Sequence, residues 1–529
     1  MTVGIILVAL IIFLCILADK FSGKFGMPAL ILFMFIGMLF GSDGILKIPF
    51  DDYKTAENFC SIALLFIMFY GGFNTKWELA KSVAVKSVLL STIGVLITAG
   101  ITAALCHVFL KFSITESFLI GGVLSSTDAA SVFSILRQKK LNLKEGTASL
   151  LEMESGSNDP VSYMLTVIGI GLLGGGENSN LLYSVFSQLV YGSAIGILFA
   201  LGAVWLLTKS NLIADGLDTI FMIATVLLCY GLSNLIGGNA YLSVYLMGII
   251  VGNSRIKNKN VLIPFFDGIT SLAQIFLFFL LGLLAFPHKL PAIIVPALVI
   301  VFFLTVIARP VAVFIILKPF KCSTRQCILV SWAGLRGAAS IVFATMVIAS
   351  GASLHSDLFH IVFMVALFSV AIQGTLLPKV ARRLDMVDET SDVRKTFNDY
   401  QEESAITLMR MFIPKGHNWE NQLVKNVAMP TGSLALMIKR NKETLIPRGD
   451  TRILAGDSVI LSVPAYEPAE HEKLEEIRID KGHQWCNHSI EELKLPPNEL
   501  IALIIRGDEN LIPDGKTIIL ENDIVVAYR

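Results

Sequence analysis

The chain has 529 residues, is 54% hydrophobic and only 16% charged, and its 42 basic and 42 acidic residues cancel. A globular protein carries about a quarter charged residues, so most of this length is not a soluble core, and zero net charge argues against a nucleic-acid polymer as partner. The seven cysteines form no Cys-x-x-Cys pair and lie mostly in apolar runs, which argues against a disulfide frame and a thiolate metal site.

The apolar character falls into about thirteen windows of roughly 17–27 residues, each a candidate membrane-spanning helix, and it ends near residue 380. The first, 2–18, lacks a basic start and a small-residue cleavage site, so it reads as a membrane helix and not as a cleaved signal. The others follow at 27–45, 56–73, 84–107, 114–136, 146–173, 183–208, 216–236, 240–253, 261–286, 291–317, 325–350 and 357–378. Basic residues crowd alternate loops. One set includes Lys20, Lys24, Lys76, Lys81, Arg137, Lys139, Lys140, Lys144, Lys209, Arg255, Lys257, Lys318 and Arg325; the other holds little beyond Lys47, Lys54, Lys111 and Lys289. The positive-inside rule makes the rich side cytoplasmic. The expectation is a multi-pass plasma-membrane protein with its N-terminus outside, its C-terminal tail inside and an odd number of spans.

Three windows carry charge where a lipid-facing helix cannot hold it. The fifth has Thr127-Asp128, the sixth has Glu154-Ser155 and Asn158-Asp159 before Pro160, and the twelfth has Arg336. At about 1.5 Å of rise per residue, Asp128, Asp159 and Arg336 each lie roughly 16–21 Å deep, near the middle of a ~30 Å apolar core. Charges at that depth are costly and point to a substrate or ion pathway. Glu154 and Asn158 are spaced i, i+4, as are Ser155 and Asp159, so the four occupy two adjacent faces. Pro160 lacks an N–H and loosens the turn before it. Pairing of Glu154 with Arg336 would leave Asp128 and Asp159 as two carboxylates that repel unless a proton or a monovalent cation joins them. Oxygen ligands from Asp, Ser and Thr suit a hard alkali cation and offer nothing soft for zinc or copper. Glu154, Asn158 and Arg336 also read as a hydrogen-bonded brace with no direct part in binding. Arg309 and Asp267 sit nearer the cytoplasmic ends of their windows, where snorkelling is expected. His107, His288, His355 and His360 fall near outer ends and read as exposed loop histidines.

The fifth and twelfth windows share a short pattern: Asp128-Ala129-Ala130-Ser131 and Arg336-Gly337-Ala338-Ala339-Ser340. The two windows run in opposite directions, as inverted repeats with matching interrupted helices would. A small-residue packing seam is the plainer alternative. At this point Thr127-Asp128, Glu154-Ser155-x-x-Asn158-Asp159-Pro160 and Gly334-Leu335-Arg336-Gly337 resemble, in order, spacing and depth, the monovalent cation/proton antiporters of the NhaP type, over about residues 1–380. That resemblance implies a fold of about thirteen transmembrane helices, with inverted repeats, crossed interrupted helices at spans five and twelve, and a homodimer. It implies that Asp159 carries the proton and a monovalent cation, K⁺ or Na⁺, with Asp128, Thr127 and Ser155 completing the site and Glu154, Asn158 and Arg336 supporting it. Asn158 stands where electrogenic relatives carry a second aspartate, which implies electroneutral one-for-one exchange.

The tail repeats itself at a constant offset of 66 residues: Lys415-Gly416-His417-x-Trp419 with Lys481-Gly482-His483-x-Trp485, Leu445-Ile446-Pro447 with Leu511-Ile512-Pro513, and Gly456-Asp457 with Asn522-Asp523. Alternating apolar and polar residues with Gly and Asp at turns predict two β-rich α+β units, each with a short helix. They resemble the RCK_C (TrkA-C) domain, in tandem. The expected division is 1–384 membrane domain, 385–403 linker, 404–466 first unit and 467–529 second unit. The nucleotide-binding half that usually precedes RCK_C is missing, so NAD or ATP control is not expected and no cofactor is implied. The resemblance leaves two roles open for residues 404–529: regulation by a small ligand such as cyclic di-AMP, or a scaffold for dimerisation. Other classes fit less well. No phosphate-handling motif supports a pump, and two mid-membrane acids without a Gly-x-Gly-Asp context do not support an intramembrane protease, the enzyme alternative. An RCK-regulated channel would need a filter, and a sodium-coupled anion carrier would carry its RCK_C units between spans.

Overall fold

The computed structural model describes residues 2–25, 28–139, 141–173, 181–209, 216–254, 256, 258–388, 406–429, 433–440, 443–464, 474–479, 483–493, 495, 500–506, 509–511, 513–521 and 523–528. Most of the expected linker, 389–403, lies outside the described residues. So do Lys140, Arg255 and Lys257 of the basic set and Lys481, Gly482, Ile512 and Asn522 of the tail repeat. The chain divides into two compact units, Met1–Tyr400 and Gln401–Arg529.

All thirteen apolar windows contain helix. Among the described residues eight helices are long and apolar enough to cross a membrane, from Gly4–Ser22 to Leu358–Arg383, and four shorter apolar helices accompany them. Thr147–Leu173 is also long, at 27 residues, and carries the acids of the sixth window. Helix is what such runs must form, because lipid offers no hydrogen bonds and every backbone group needs a partner within the segment.

The fifth and twelfth windows are not continuous helices. The fifth is helical over Ile114–Val123 and again over Ala129–Gln138; the twelfth over Thr324–Trp332 and again over Ala338–Ala349. The repeated Ala-Ala-Ser pattern marks the start of the second half in each. The non-helical stretches between the halves meet: Asp128 N donates to Leu335 O at 2.8 Å. Three other helices contain a π-turn, at Leu90–Gly94, Leu304–Ala308 and Ser369–Gly374, a feature that often marks functional positions. Helices Tyr53–Asn74 and Ala240–Gly252 pack backbone to backbone, since a Cβ at Gly248 would collide with Phe69 O.

Strands β1 (Asn142–Leu143) and β2 (Val387–Asp388) form a short antiparallel ribbon in the first unit; in the tail, strands β3 (Ile406–Phe412), β4 (Leu434–Arg440), β5 (Glu443–Leu445) and β6 (Ser458–Pro464) form an antiparallel sheet in the order β3-β6-β4-β5. Strands β7 (Leu474–Arg478), β8 (Leu500–Arg506), β9 (Glu509–Leu511) and β10 (Ile524–Tyr528) repeat that order as β7-β10-β8-β9. The expected short helix is reduced, among the described residues, to a 3₁₀ turn at Val424–Asn426. The repeat extends to side chains. Arg440 Nε and Nη2 grip Asp457 at 2.8 and 2.7 Å, and Arg506 grips Asp523 at 2.9 and 2.8 Å. Each aspartate also accepts from a backbone N–H three residues before it, Leu454 or Leu520, at 2.8 Å. Burial pushes these carboxyls up, but the arginine and backbone bonds outweigh it and hold both below the ordinary carboxylate range.

Candidate functional site

Helix Thr147–Leu173 buries Glu154, Ser155, Asn158 and Asp159 in its middle. Glu154 and Asn158 are 0% exposed and Asp159 is 8% exposed, so only the last keeps a trace of access. Pro160 stays inside the helix, and its carbonyl accepts from Asn239 Nδ2 at 2.7 Å. Asn239 also caps helix Ala240–Gly252 by accepting from Leu242 N at 3.0 Å.

The crossing supplies the facing wall. Thr127 Oγ1 and Ser155 Oγ share a hydrogen bond of 2.9 Å, and Asn158 Nδ2 donates to the same Thr127 oxygen. Ser126 Oγ donates to Asp159 Oδ1. Asp128 and Glu154 lie close enough to Asp159 to act on it electrostatically. Asp128 caps the helix half that follows it: its carboxylate accepts from Ser131 N at 3.3 Å and Ser131 Oγ at 2.6 Å. Gly337 leaves room for that carboxylate, since a Cβ there would collide with Asp128 Oδ2.

The breaks explain where the charges stand. A helix C-terminus presents bare carbonyls and partial negative charge, and an N-terminus the reverse. Arg336 Nη1 donates to Ser126 O at 2.7 Å, just past the end of the first half-helix. Asp128 sits at the start of the second half and beside Gly337, the N-cap of Ala338–Ala349. Arg336 and Asp128 thus each face a helix end of opposite sign.

The ion pair differs from the expected one. Glu154 is held by Arg309, not Arg336: Nη1 to Oε1 at 2.8 Å and Nη2 to Oε2 at 2.7 Å. Arg309 is 2% exposed and does not snorkel. It directly follows the π-turn Leu304–Ala308, and Gly334 lets its stem pass, since a Cβ there would lie 2.8 Å from Arg309 Nε. Arg336 is 0% exposed. Its backbone N donates to Ser369 Oγ at 3.0 Å, and its Nε and Nη2 have no partner among the described residues. Asn158 Oδ1 has none either. Two further expectations are resolved. His107, His288 and His355 are exposed, but His360 is fully buried, bonded through Nδ1 to Asp357 at 2.7 Å and accepting at Nε2 from Phe286 N at 3.0 Å. All seven cysteines are buried and free.

So the structure brings Thr127, Ser155, Asn158 and Asp159 together, with Asp128 at the crossing, and pairs Glu154 with Arg309 in place of Arg336. Sequence reasoning missed Ser126 as a partner of Asp159 and Arg309 as the partner of Glu154. An Arg-Pro step about eight residues inside an apolar window was the available signal, since roughly 12 Å is deep for a snorkelling side chain.

Residues 9–383 match the transmembrane sodium/hydrogen exchanger family, and residues 408–465 and 474–528 each match the TrkA-C domain. The K(+)/H(+) antiporter NhaP2 of Shewanella baltica is 34% identical over 455 residues, covering 85% of this chain and 79% of that protein. The K(+)/H(+) antiporter NhaP of Alkalimonas amylolytica is 31% identical over 465 residues, covering 86% and 80%. In fold, the chain is similar to the solved sodium proton antiporter MjNhaP1 of Methanocaldococcus jannaschii, with a TM-score of 0.64 at 24% identity over 72% of this chain and 99% of that one. The chain belongs to the transmembrane sodium/hydrogen exchanger family and carries two TrkA-C domains behind its membrane unit.

Proposed function

We propose that this protein is a secondary antiporter that exchanges one monovalent cation, K⁺ or Na⁺, for one proton by alternating access. The carrying observation is the charge balance of the crossing. Three buried or half-buried carboxylates, Asp128, Glu154 and Asp159, stand against two buried guanidiniums, Arg309 and Arg336. One negative charge is left over, which is what one proton or one monovalent cation neutralises. Glu154 is spent on its bidentate pair with Arg309. Asp128 is engaged as a helix cap. Asp159 is then the group that trades proton for cation. Ser126, Ser155, Thr127 and the free Asn158 Oδ1 offer neutral oxygens of the kind an alkali ion takes.

The names of the relatives support both cations, and the ligand set does not discriminate between them. The finer reading is thirteen spans built as inverted repeats, a homodimer in the plasma membrane, the N-terminus outside and the TrkA-C tail in the cytoplasm, where it regulates exchange. In purified vesicles, cation-driven collapse of a proton gradient is the test, and Asp159→Asn is expected to reduce it to the level of empty vesicles. Near wild-type flux in correctly inserted Asp159→Asn protein would remove Asp159 from this role.

A further inference from the structure

The segment that leads out of the membrane unit is fastened to the elements that build the crossing. Strand β2 (Val387–Asp388) pairs antiparallel with β1 (Asn142–Leu143), Asp388 opposite Asn142 and Val387 opposite Leu143. Lys144 N donates to Met386 O at 2.9 Å. Lys144 Nζ and Arg325 Nη1 both reach Asp385, at 3.0 and 3.3 Å. Beneath this ribbon Met386 is 1% exposed and packs in one core with Leu141, Leu143 and Leu335. The loop is also held from its other side: Ser323 Oγ donates to Glu145 Oε2 at 2.8 Å, and Gln326 Nε2 donates to Thr147 Oγ1 at 3.1 Å.

Connectivity gives this clip its meaning. The loop carrying β1 joins the half-helix capped by Asp128 to the helix that holds Asp159. Arg325 and Gln326 begin the helix that leads to Leu335 and Arg336. Residues 385–388 are where the chain departs toward the tail. A displacement of the exit strand therefore acts on all three site-bearing elements within a few residues. The Asp385 pairs are exposed, with side chains 42–70% accessible, and such pairs contribute little each. Only two residues pair in each strand. A clip this small opens at low cost, as switching elements must.

We propose that the β1–β2 clip is the element through which the TrkA-C tail biases exchange. The clip is closed in the arrangement seen here, and the tail acts by holding or releasing it. This rests on the regulatory reading of the tail given above. A tail ligand works through it only by favouring the closed or the open clip.

The test compares the half-saturating cation concentration, across pH, of the full chain, the chain lacking residues 404–529, and two clip variants. The membrane unit has its own cores, so the shortened chain keeps them. Asp388→Pro removes a strand N–H and leaves Asp385 in place. It is expected to shift the full chain as truncation does, by about fivefold or more, and to add nothing in the truncated chain. Leu143→Cys with Val387→Cys places thiols at directly opposed positions. Once oxidised, that pair is expected to make truncation silent, with the shift restored by reductant; this arm stands even if Asp388→Pro fails to fold. Truncation that shifts the profile while Asp388→Pro does not, or while the cross-linked chain still responds, overturns the clip and leaves tail regulation standing. Truncation that shifts nothing defeats the regulatory reading, and the clip with it.

Discussion

Asp128 and Asp159 sit at one crossing in different company. Asp128 is tied to Ser131, in the geometry of a helix cap, whereas Asp159 accepts from the Ser126 hydroxyl and keeps the larger access of the buried acids on its helix. The first is therefore suited to hold shape and field, the second to change partner. Ser126→Ala removes a hydrogen bond to a charged group, an interaction in the range of about 1.5–3 kcal/mol. It is expected to raise the half-saturating cation concentration about tenfold with the maximal rate kept, as measured by flux titration. Arg309 allows a sharper test. Removing it strands Glu154 as a buried charge, which costs about 3–5 kcal/mol. Arg309→Ala is expected to lower thermal stability in detergent markedly, and Arg309→Met combined with Glu154→Gln to recover most of the loss. Equal loss in both would mean the pair is not what holds these helices.

At the scale of elements, the two broken helices are what turn apolar spans into a site. Their need for space is most acute at Gly337. Alanine is the better helix former, yet Gly337→Ala would drive a methyl into the Asp128 carboxylate. Exchange is expected to fall to background in inserted protein, and a variant with near-normal flux would show that the crossing can yield. Much of this was legible in the sequence. Apolar windows located the helices, depth placed Asp128, Asp159 and Arg336 at one level, and the Ala-Ala-Ser pattern shared by the fifth and twelfth windows marked the interrupted spans. The break positions were not legible, because Ser125-Ser126-Thr127 is compatible with helix until Leu335 offers a carbonyl to Asp128 N. Nor was the choice between Arg309 and Arg336. Both are arginines in apolar windows, and the room that Gly334 leaves for the Arg309 stem exists only once the helices are packed. In the tail, the 66-residue offset foretold two like sheets and the equivalence of Asp457 with Asp523. The arginines that grip them lie in the same register of β4 and β8 and gave no motif of their own.

For the whole molecule, the two units should respond to acid in their own ways. Asp457 and Asp523 have carboxyls held below the ordinary range in the folded tail. Their contribution is thus complete above the unfolded carboxylate value near ~3.9 and is lost as pH falls through the lowered folded one. Hydrogen exchange in the strands of full-length Arg440→Ala is expected to be faster than wild type at neutral pH, and the difference to disappear in acid as pH falls through the lowered value of Asp457. A difference that persisted in acid would mean Arg440 acts by packing and not through Asp457. The membrane unit carries the central claim, which is that one leftover negative charge at the crossing is traded between one cation and one proton. The most direct measurement is proton-gradient dissipation in vesicles of the purified full-length protein, driven by K⁺, Na⁺ or choline at two clamped membrane potentials. The account predicts dissipation with K⁺ or Na⁺, none with choline, and a rate that does not change with potential. A rate that scales with potential would mean that net charge crosses with each cycle, and would contradict one-for-one exchange at Asp159.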